Sequence, residues 1–164
     1  MKHVIISDRI GFIFQLYLRT MALLEKQLRV KTSALPNSGK GLFTLKPIPK
    51  GTLIVEYKGR VTTWKEVAGK ENGYIYFVSN KYVIDARPYK SALAKYANDA
   101  RGLSRVKGIT NNAEYVEQDG KVYIKSKKDI PAGSEIFVGY GKEYWDTIRH
   151  NIRIDIANKK KAKK

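Results

Sequence analysis

Tyrosine is the residue type through which this chain is best equipped to do chemistry. Its 164 residues include eleven tyrosines and two tryptophans, but no cysteine and only two histidines, His3 and His150, at opposite ends. The lack of cysteine excludes a disulfide scaffold, a thiolate zinc site and a cysteine nucleophile. Two histidines so far apart argue against a histidine metal cage or a serine–histidine triad. We therefore expect a site built from aromatic walls and phenol hydroxyls.

Several short motifs that contain these aromatic residues follow one another along the chain. Glycine has no Cβ, so a Gly-x-Gly step lets the backbone approach a ligand closely, although alone it is more often a simple turn. No single motif of this set is specific, and the information lies in their order. In sequence they are Ser38-Gly-Lys-Gly41, Glu56-Tyr-Lys-Gly59, Gly73-Tyr-Ile-Tyr76, Lys95-Tyr-Ala-Asn-Asp99, Asn111-Asn-Ala-Glu-Tyr115, Glu135-Ile-Phe-Val-Gly-Tyr-Gly141 and Glu143-Tyr-Trp145.

The elements that must position these motifs are mostly short strands. Runs of β-branched and aromatic residues predict strands of three to five residues. Within 88–100, Tyr89, Leu93 and Tyr96 recur at helical spacing and predict a helix. This order favours a strand-rich α+β domain over a parallel nucleotide-binding sheet. The predicted strands are Leu53–Tyr57, Tyr74–Val78, Tyr82–Ile84, Val122–Ile124 and Glu135–Val138.

Two segments of similar sequence, Lys46–Gly51 and Lys128–Gly133, separate predicted strands. Each contains proline, which fixes φ, followed by a glycine that tolerates a positive φ. Both are therefore predicted to be tight connections between strands.

The order of the motifs resembles that of the SET domain, the family of S-adenosylmethionine-dependent protein lysine methyltransferases. The resemblance covers about residues 28–145 and implies small curved β-sheets around a C-terminal pseudoknot, in which the C-terminal segment passes under a preceding loop. We accordingly divide the chain into an N-terminal extension (1–27), expected to be helical, and a catalytic domain (28–145). A C-terminal segment (146–164) follows, and its lysine-rich end is expected to be disordered.

The resemblance assigns roles around one site. Tyr140 matches the family's catalytic tyrosine. The channel for the substrate lysine would be lined by Tyr57, Tyr115, Val138 and Trp145. The implied cofactor is S-adenosylmethionine, and no metal is implied. The matching cofactor-binding residues are Gly39, Lys40, Gly41, Tyr74, Asn98, Asp99, Asn112, Tyr144 and Trp145.

The chain departs from the family pattern at three places. Asp99 stands where the family usually has histidine, and Ala100-Arg101-Gly102 replaces the usual serine–cysteine continuation. The stretch 103–110 then separates Asn98 from Asn112 as an apparent insertion. The zinc-binding C-terminal extension of many relatives requires cysteines, which this chain lacks. Residues 146–158, which contain four isoleucines, are expected to close the channel in its place.

Methyl transfer to a lysine requires a neutral amine, and these residues fit that need. A free lysine has a pKa of about 10.4, so about one in a thousand or fewer is neutral at pH 7. A tyrosine-lined channel would desolvate the ammonium and lower its pKa, as would the positive sulfonium of the cofactor. Tyr140 is then an orienting group, because a free phenol has a pKa of about 10. Glu135 is interpreted as a strand residue, not as the base.

The residues near the amine also bear on how many methyl groups are added. Val138 is small, whereas Tyr115 offers a hydroxyl at a position that some relatives use to crowd the amine. The resemblance therefore implies mono- or dimethylation.

The charge of the chain bears on its partners. The formal net charge of +17 favours non-specific contact with DNA through the basic termini. A histone or other chromatin protein is the expected substrate, and it is basic too. Glu114, Glu117 and Asp119 either supply a local acidic field for such a substrate or simply decorate a hairpin. The apolar run 10–18 is too short to span a bilayer, so we expect an intracellular protein of the nucleus or the cytoplasm.

Three functions thus stand side by side. The leading one is a small protein lysine methyltransferase that uses S-adenosylmethionine. The second is a SET-like protein- or DNA-binding module with little catalysis, motivated by Asp99. The third is a basic nucleic-acid-binding protein, although no helix–turn–helix, zinc finger or RNA-binding aromatic signature accompanies the charge.

Overall fold

The computed structural model describes residues 23–70 and 72–161. Within these residues the chain forms short strands, two single-turn 3₁₀ helices, one single-turn α-helix and one long α-helix. The strands are β1 (Leu28–Thr32), β2 (Lys40–Thr44), β3 (Leu53–Glu56), β4 (Arg60–Thr62), β5 (Ile75–Ser79), β6 (Tyr82–Asp85), β7 (Ala113–Gln118), β8 (Lys121–Ser126) and β9 (Glu135–Ile136). The α-helices are α1 (Trp64–Val67) and α2 (Lys142–Lys161), and the 3₁₀ helices are Glu25–Gln27 and Leu93–Tyr96.

The strands pair into three small antiparallel sheets of three strands each, in the orders β1-β2-β9, β3-β8-β7 and β4-β6-β5. In β8 every second side chain is buried, and Val122 and Ile124 on that face belong to the main core. Such alternation is what a strand with one face in the core requires. The predicted α+β class, rich in strands, is confirmed.

The two segments of similar sequence contact each other. Ile48 and Ile130 donate their backbone N–H groups to each other's carbonyl oxygens at 2.9 and 2.8 Å, and both side chains are buried. Gly51 and Gly133 adopt φ values of 83° and 78°, a region that other residues rarely occupy. The predicted connections are therefore present, and the backbone hydrogen bonds between them also join two parts of the chain that are distant in sequence.

The segment after β9 crosses between two loops. Only Glu135 and Ile136 of the predicted strand pair with β2. Phe137 then forms a parallel bridge with Asn98 and accepts the backbone N–H groups of Asn112 and Ala113 at 3.1 and 2.9 Å. The predicted strand over Glu135–Val138 is thus wrong in its second half, because its backbone partners there are loop residues.

The helix predicted within 88–100 is replaced by the short 3₁₀ helix Leu93–Tyr96. The ammonium of Lys95 donates to the carbonyl oxygens of Ala86 and Tyr89 at 3.1 and 2.8 Å. In this loop, the lysine side chain therefore supplies the hydrogen-bond donors for these two carbonyl oxygens, a task that backbone N–H groups perform within a helix.

The C-terminal segment differs from expectation in two ways. Helix α2 carries it away from the sheets, and every residue from 151 to 161 is exposed, Ile152 and Ile156 at 39% and 50%. Residues 151–158 therefore do not close the channel as expected, whereas Ile148, earlier in the same segment, is half-buried. Lys159, Lys160 and Lys161 are helical instead of disordered, since lysine is a good helix former and a cation at a helix C-terminus is favourable.

Two predictions for the N-terminal extension concern residues that lie mainly outside the described ones. The apolar run 10–18 and the helix expected there belong to residues 1–22, outside the described range. Residues 25–27 form one of the 3₁₀ helices. Among the residues that the structure describes, no helix is both long enough and apolar enough to cross a membrane.

Candidate active site

Three tyrosine rings from two sheets meet beside the core. Tyr57 follows β3, Tyr76 lies in β5 and Tyr115 lies in β7. Their ring centroids are 5.5 Å apart for Tyr57 and Tyr76, 5.9 Å for Tyr57 and Tyr115, and 4.9 Å for Tyr76 and Tyr115. The interplanar angles, from 48° to 78°, are those of tilted and edge-to-face pairs, which aromatic rings prefer.

A second aromatic group forms where the crossing segment enters α2. The rings of Tyr140 and Trp145 are stacked, with centroids 5.8 Å apart and an interplanar angle of 12°. Tyr144 meets both of them edge-on, at 4.9 and 5.0 Å. The hydroxyl of Tyr140 donates to the carbonyl oxygen of Ala97 at 2.9 Å, which fixes the phenol against the loop before Asn98.

The two aromatic groups are close enough to affect each other's ionisation. Burial raises the pKa of Tyr140 above its ordinary value, and the neighbouring Tyr144 and Tyr57 hydroxyls add to the effect. Burial likewise raises the pKa of Tyr115 well above the usual value, with Tyr140 and Tyr57 among its neighbours. These phenols are therefore protonated at neutral pH and act as dipoles and hydrogen-bonding groups, not as bases.

Two further predicted site residues have distinct surroundings. Tyr74 is exposed by 38%, and Lys95 lies over its ring at 5.2 Å from the centroid. Tyr74 also contributes to the raised pKa of Tyr57, after burial and Asp85, so it borders the cluster. Val138 is completely buried in the main core, against which Tyr57, Tyr115 and Tyr140 also pack.

The glycine step of the predicted cofactor side lies at the start of β2. Gly39 has a φ of 65°, and a Cβ placed there would meet nothing within 4 Å. At Gly41, in contrast, a Cβ would stand 2.1 Å from Oε1 of Glu135. Gly41 is therefore required by the close approach of a carboxylate, and Gly39 by the backbone conformation.

Asn98 ties this glycine step to β9. Its Nδ2 donates to the carbonyl oxygen of Lys40 at 2.9 Å and to Oε1 of Glu135 at 3.2 Å. The hydrogen bonds of the described residues leave its Oδ1 without a partner, so this oxygen has a free acceptor position. The Glu135 carboxylate, 4% exposed, also accepts from the Ser33 hydroxyl and the Ala34 backbone N–H, both at 2.8 Å.

Asn112 holds the crossing together. Its side chain is buried, its Nδ2 donates to the carbonyl oxygen of Glu135 at 2.8 Å, and its Oδ1 accepts from the backbone N–H of Phe137 at 2.8 Å. Both ends of the amide are thus used by the backbone of the crossing segment. The role in cofactor binding that the resemblance implies for Asn112 stays a prediction.

The structure brings together most of the predicted residues and adds three. Tyr57, Tyr115, Tyr140, Tyr144 and Trp145 share one aromatic region, while Asn98 and the glycine step form its neighbour. The sequence motifs contain Tyr76, Asn111 and Glu135, but no role at the site was assigned to them. The signal for Tyr76 is its spacing of two from Tyr74 within the predicted strand Tyr74–Val78, which predicts that both side chains lie on one face, although β5 begins only at Ile75.

Comparison with known proteins matches this chain to one family. The SET domain family matches residues 39–141. The histone-lysine N-methyltransferase EZH2 of Chaetomium thermophilum is 29% identical over 126 residues, which are 68% of this chain and 8% of that protein. The human histone-lysine N-methyltransferase EHMT1 is 28% identical over 113 residues, 66% of this chain and 9% of that protein.

A solved structure gives the same result for the fold. The methyltransferase domain of human PR domain-containing protein 2 superposes with a TM-score of 0.54 and 27% sequence identity, covering 78% of this chain and 84% of that one. The chain thus corresponds to a small part of the two curated relatives and to most of this solved domain. The fold that the resemblance implies is confirmed, and this chain belongs to the SET domain family.

Proposed function

We propose that this chain is a methyltransferase that uses S-adenosylmethionine and acts on lysine side chains of a protein substrate. The observation that carries the proposal is the meeting of the buried Tyr57 with the partly buried Tyr115 and Tyr140 in one aromatic region next to Asn98. The names of the relatives, histone-lysine N-methyltransferases, support the reaction class.

The residues of the cofactor side fit this cofactor by their chemistry. When bound, S-adenosylmethionine supplies the methyl group and carries a positive sulfonium. The Oδ1 of Asn98, which has no partner among the described residues, would accept from the cofactor's ammonium group, and the open space beside Gly39 would admit its methionine end. Electron-rich ring faces, such as those of Tyr140 and Trp145, attract cations.

The aromatic residues would prepare the substrate lysine for methyl transfer. A channel lined by Tyr57 and Tyr115 would remove water from the ammonium, which would lower the lysine pKa, and the proton would pass to solvent. The phenol oxygen of Tyr140 stays protonated, so it orients the amine instead of removing its proton. Alignment in a water-poor site then accounts for most of the rate gain.

The first test is calorimetric titration with S-adenosylmethionine. We expect saturable binding to the wild type and at least about tenfold weaker binding to Asn98→Ala, because a hydrogen bond to a charged group contributes about 1.5–3 kcal/mol. Asn80→Ala is the matched control, since Asn80 is exposed. Circular dichroism checks that Asn98→Ala folds. No binding to the wild type, either alone or with core histones present, would contradict the proposal.

We propose further that the products are mono- and dimethyl-lysine. The Tyr115 hydroxyl would occupy space near the amine, so Tyr115→Phe is expected to shift the product distribution by at least one methyl group. The edge-to-face contacts of the ring with Tyr57 and Tyr76 are retained in this variant. Mass spectrometry of a methylated substrate measures the shift, and Tyr123→Phe, on β8, is the control. Mainly trimethyl-lysine from the wild type would refute the hypothesis.

The proposed substrate is a histone or another lysine-containing chromatin protein, in the nucleus or the cytoplasm. The names of the two relatives, both histone-lysine N-methyltransferases, support a histone substrate. Glu117 lies in β7 two residues after Tyr115 and on the same face, where it would supply a local acidic field for a basic peptide. Glu114 lies on the opposite face and is paired with Lys127 at 3.9 Å. Contact with DNA through the basic termini stays a prediction.

A further inference from the structure

The carboxylate of Asp99, the residue that departs from the family pattern, connects two separate parts of the chain. It is 7% exposed. Its Oδ1 accepts from the backbone N–H of Arg101 at 2.8 Å and from Nδ2 of Asn111 at 2.9 Å, both in its own loop. Its Oδ2 accepts from the backbone N–H of Tyr140 and from the indole Nε1 of Trp145, both at 2.8 Å.

This second oxygen fixes the relative placement of Tyr140 and Trp145. One atom binds the backbone of the first and the side chain of the second, and the two rings are stacked. Gly102 leaves the space for the indole, since a Cβ there would stand 2.4 Å from Cζ2 of Trp145. A neutral histidine has a single acceptor nitrogen, so it cannot accept these four hydrogen bonds. The aspartate therefore does something that the usual residue does not.

Only neutral N–H donors stabilise the negative charge of this carboxylate among the described residues. None of the ion pairs among the described residues includes Asp99. Burial acts to raise its pKa, but hydrogen bonds from Trp145, Tyr140, Asn111 and Arg101 outweigh burial and lower the pKa, so the group is an anion at neutral pH. Neutral donors stabilise an anion without cancelling its charge, which leaves a field that favours a nearby cation.

We propose that Asp99 is a positioning residue that seats Tyr140 and Trp145, and that its buried charge makes the site prefer a cationic cofactor over a neutral one. The proposal rests on the proposed function. S-adenosylmethionine has a positive sulfonium, whereas S-adenosylhomocysteine, the thioether left after methyl transfer, is neutral at that sulfur. Asp99 would thereby favour exchange of spent cofactor for fresh cofactor.

The selectivity is tested by calorimetric titration of both compounds into the wild type, Asp99→Asn and Asp99→His. Loss of the charge is expected to lower the affinity ratio of S-adenosylmethionine to S-adenosylhomocysteine by at least about fivefold. If Asp99 had only a structural role, its replacement would weaken the binding of both compounds by the same factor. Asp129→Asn, which removes an exposed carboxylate that accepts one backbone N–H, is the matched control and should leave the ratio unchanged. An unchanged ratio in both Asp99 variants would overturn the selectivity.

The positioning is tested without cofactor, by tryptophan fluorescence. The chain has two tryptophans, and Trp64→Phe leaves Trp145 as the single emitter. In that background, Asp99→Ala is expected to shift the emission to longer wavelength, because the indole N–H loses its acceptor and the ring becomes more exposed to water. Unchanged emission would overturn the positioning role. Failure of the wild type to bind S-adenosylmethionine would refute the proposed function and the selectivity, while the emission would still decide the positioning.

Discussion

Replacement of Tyr140 by phenylalanine is expected to lower kcat for lysine methylation by roughly 100- to 1,000-fold, the range seen when one preorganised polar group is removed from an active site. The variant keeps the ring that stacks on Trp145, so the aromatic cluster remains in place. It loses the phenol oxygen, which orients the amine, and the hydrogen bond to the Ala97 carbonyl oxygen. Single-turnover methylation of a histone or a derived peptide, followed by mass spectrometry, measures the effect.

The affinity for S-adenosylmethionine separates this loss from a damaged fold. It should stay within about threefold of the wild-type value in Tyr140→Phe, since a lost neutral hydrogen bond within the protein costs only about 1 kcal/mol of stability. Tyr89→Phe is the control, because Tyr89 is 43% exposed. A near-wild-type kcat in Tyr140→Phe would show that the Tyr140 hydroxyl has no role in the reaction.

Replacement of Gly41 by alanine is expected to lower the free energy of unfolding by about 2–4 kcal/mol and to weaken cofactor binding together with it. The new Cβ would stand 2.1 Å from Oε1 of Glu135, so the carboxylate must leave its place. That carboxylate is buried and accepts from Ser33, Ala34 and Asn98. Its displacement leaves buried donors unpaired and releases the asparagine from β9.

Urea unfolding and titration with S-adenosylmethionine measure the two effects. Gly73→Ala is the matched control, because a Cβ at Gly73 meets nothing within 4 Å and no positive φ is involved there. We expect this control to change the unfolding free energy by less than about 0.5 kcal/mol. Equal free energies of unfolding for Gly41→Ala and Gly73→Ala would contradict this prediction, because they would show that the Glu135 carboxylate can move without loss of stability.

The sequence predicts β3, β5, β6, β8 and the start of β9, because each carries its own run of apolar or aromatic residues, whereas β1, β4 and β7 have no predicted counterpart. Val122 and Ile124 are predicted strand residues, and they alternate with less buried residues in β8. Boundaries are less certain, since they depend on partners elsewhere. The strand predicted over Glu135–Val138 ends at Ile136, where backbone groups of Asn98 and Asn112 replace β2 as partners. Nothing local to Phe137 reveals this exchange.

The candidate site, like the strands, is predicted where the signal lies in the local sequence and is missed where it depends on distant partners. The order of motifs predicts Tyr57, Tyr115 and Tyr140 as members of one site, and these rings lie in one region. The hydrogen bonds of Asp99 to Tyr140 and Trp145 join residues far apart in the chain, so composition and spacing do not predict them. The isoleucines of 146–158 fit either a buried or a projecting segment, and the helix that contains them leaves Ile152, Ile154 and Ile156 exposed.

The crossing of the segment after β9 has a consequence for the order of events in folding. Ser33 and Glu135, which share a hydrogen bond, lie 102 positions apart, and β2 must wait for β9. Contacts between distant residues form slowly, because the entropy of closing the intervening chain is lost before the contact is gained. On the ribosome, β1 and β2, and the sheet β4-β6-β5, have their partners early, whereas β3 lacks β8 and β2 lacks β9 until the last part of the domain emerges. Tyr140, Tyr144 and Trp145 follow β9 in the chain, so a partly synthesised chain that ends before them lacks this half of the aromatic region.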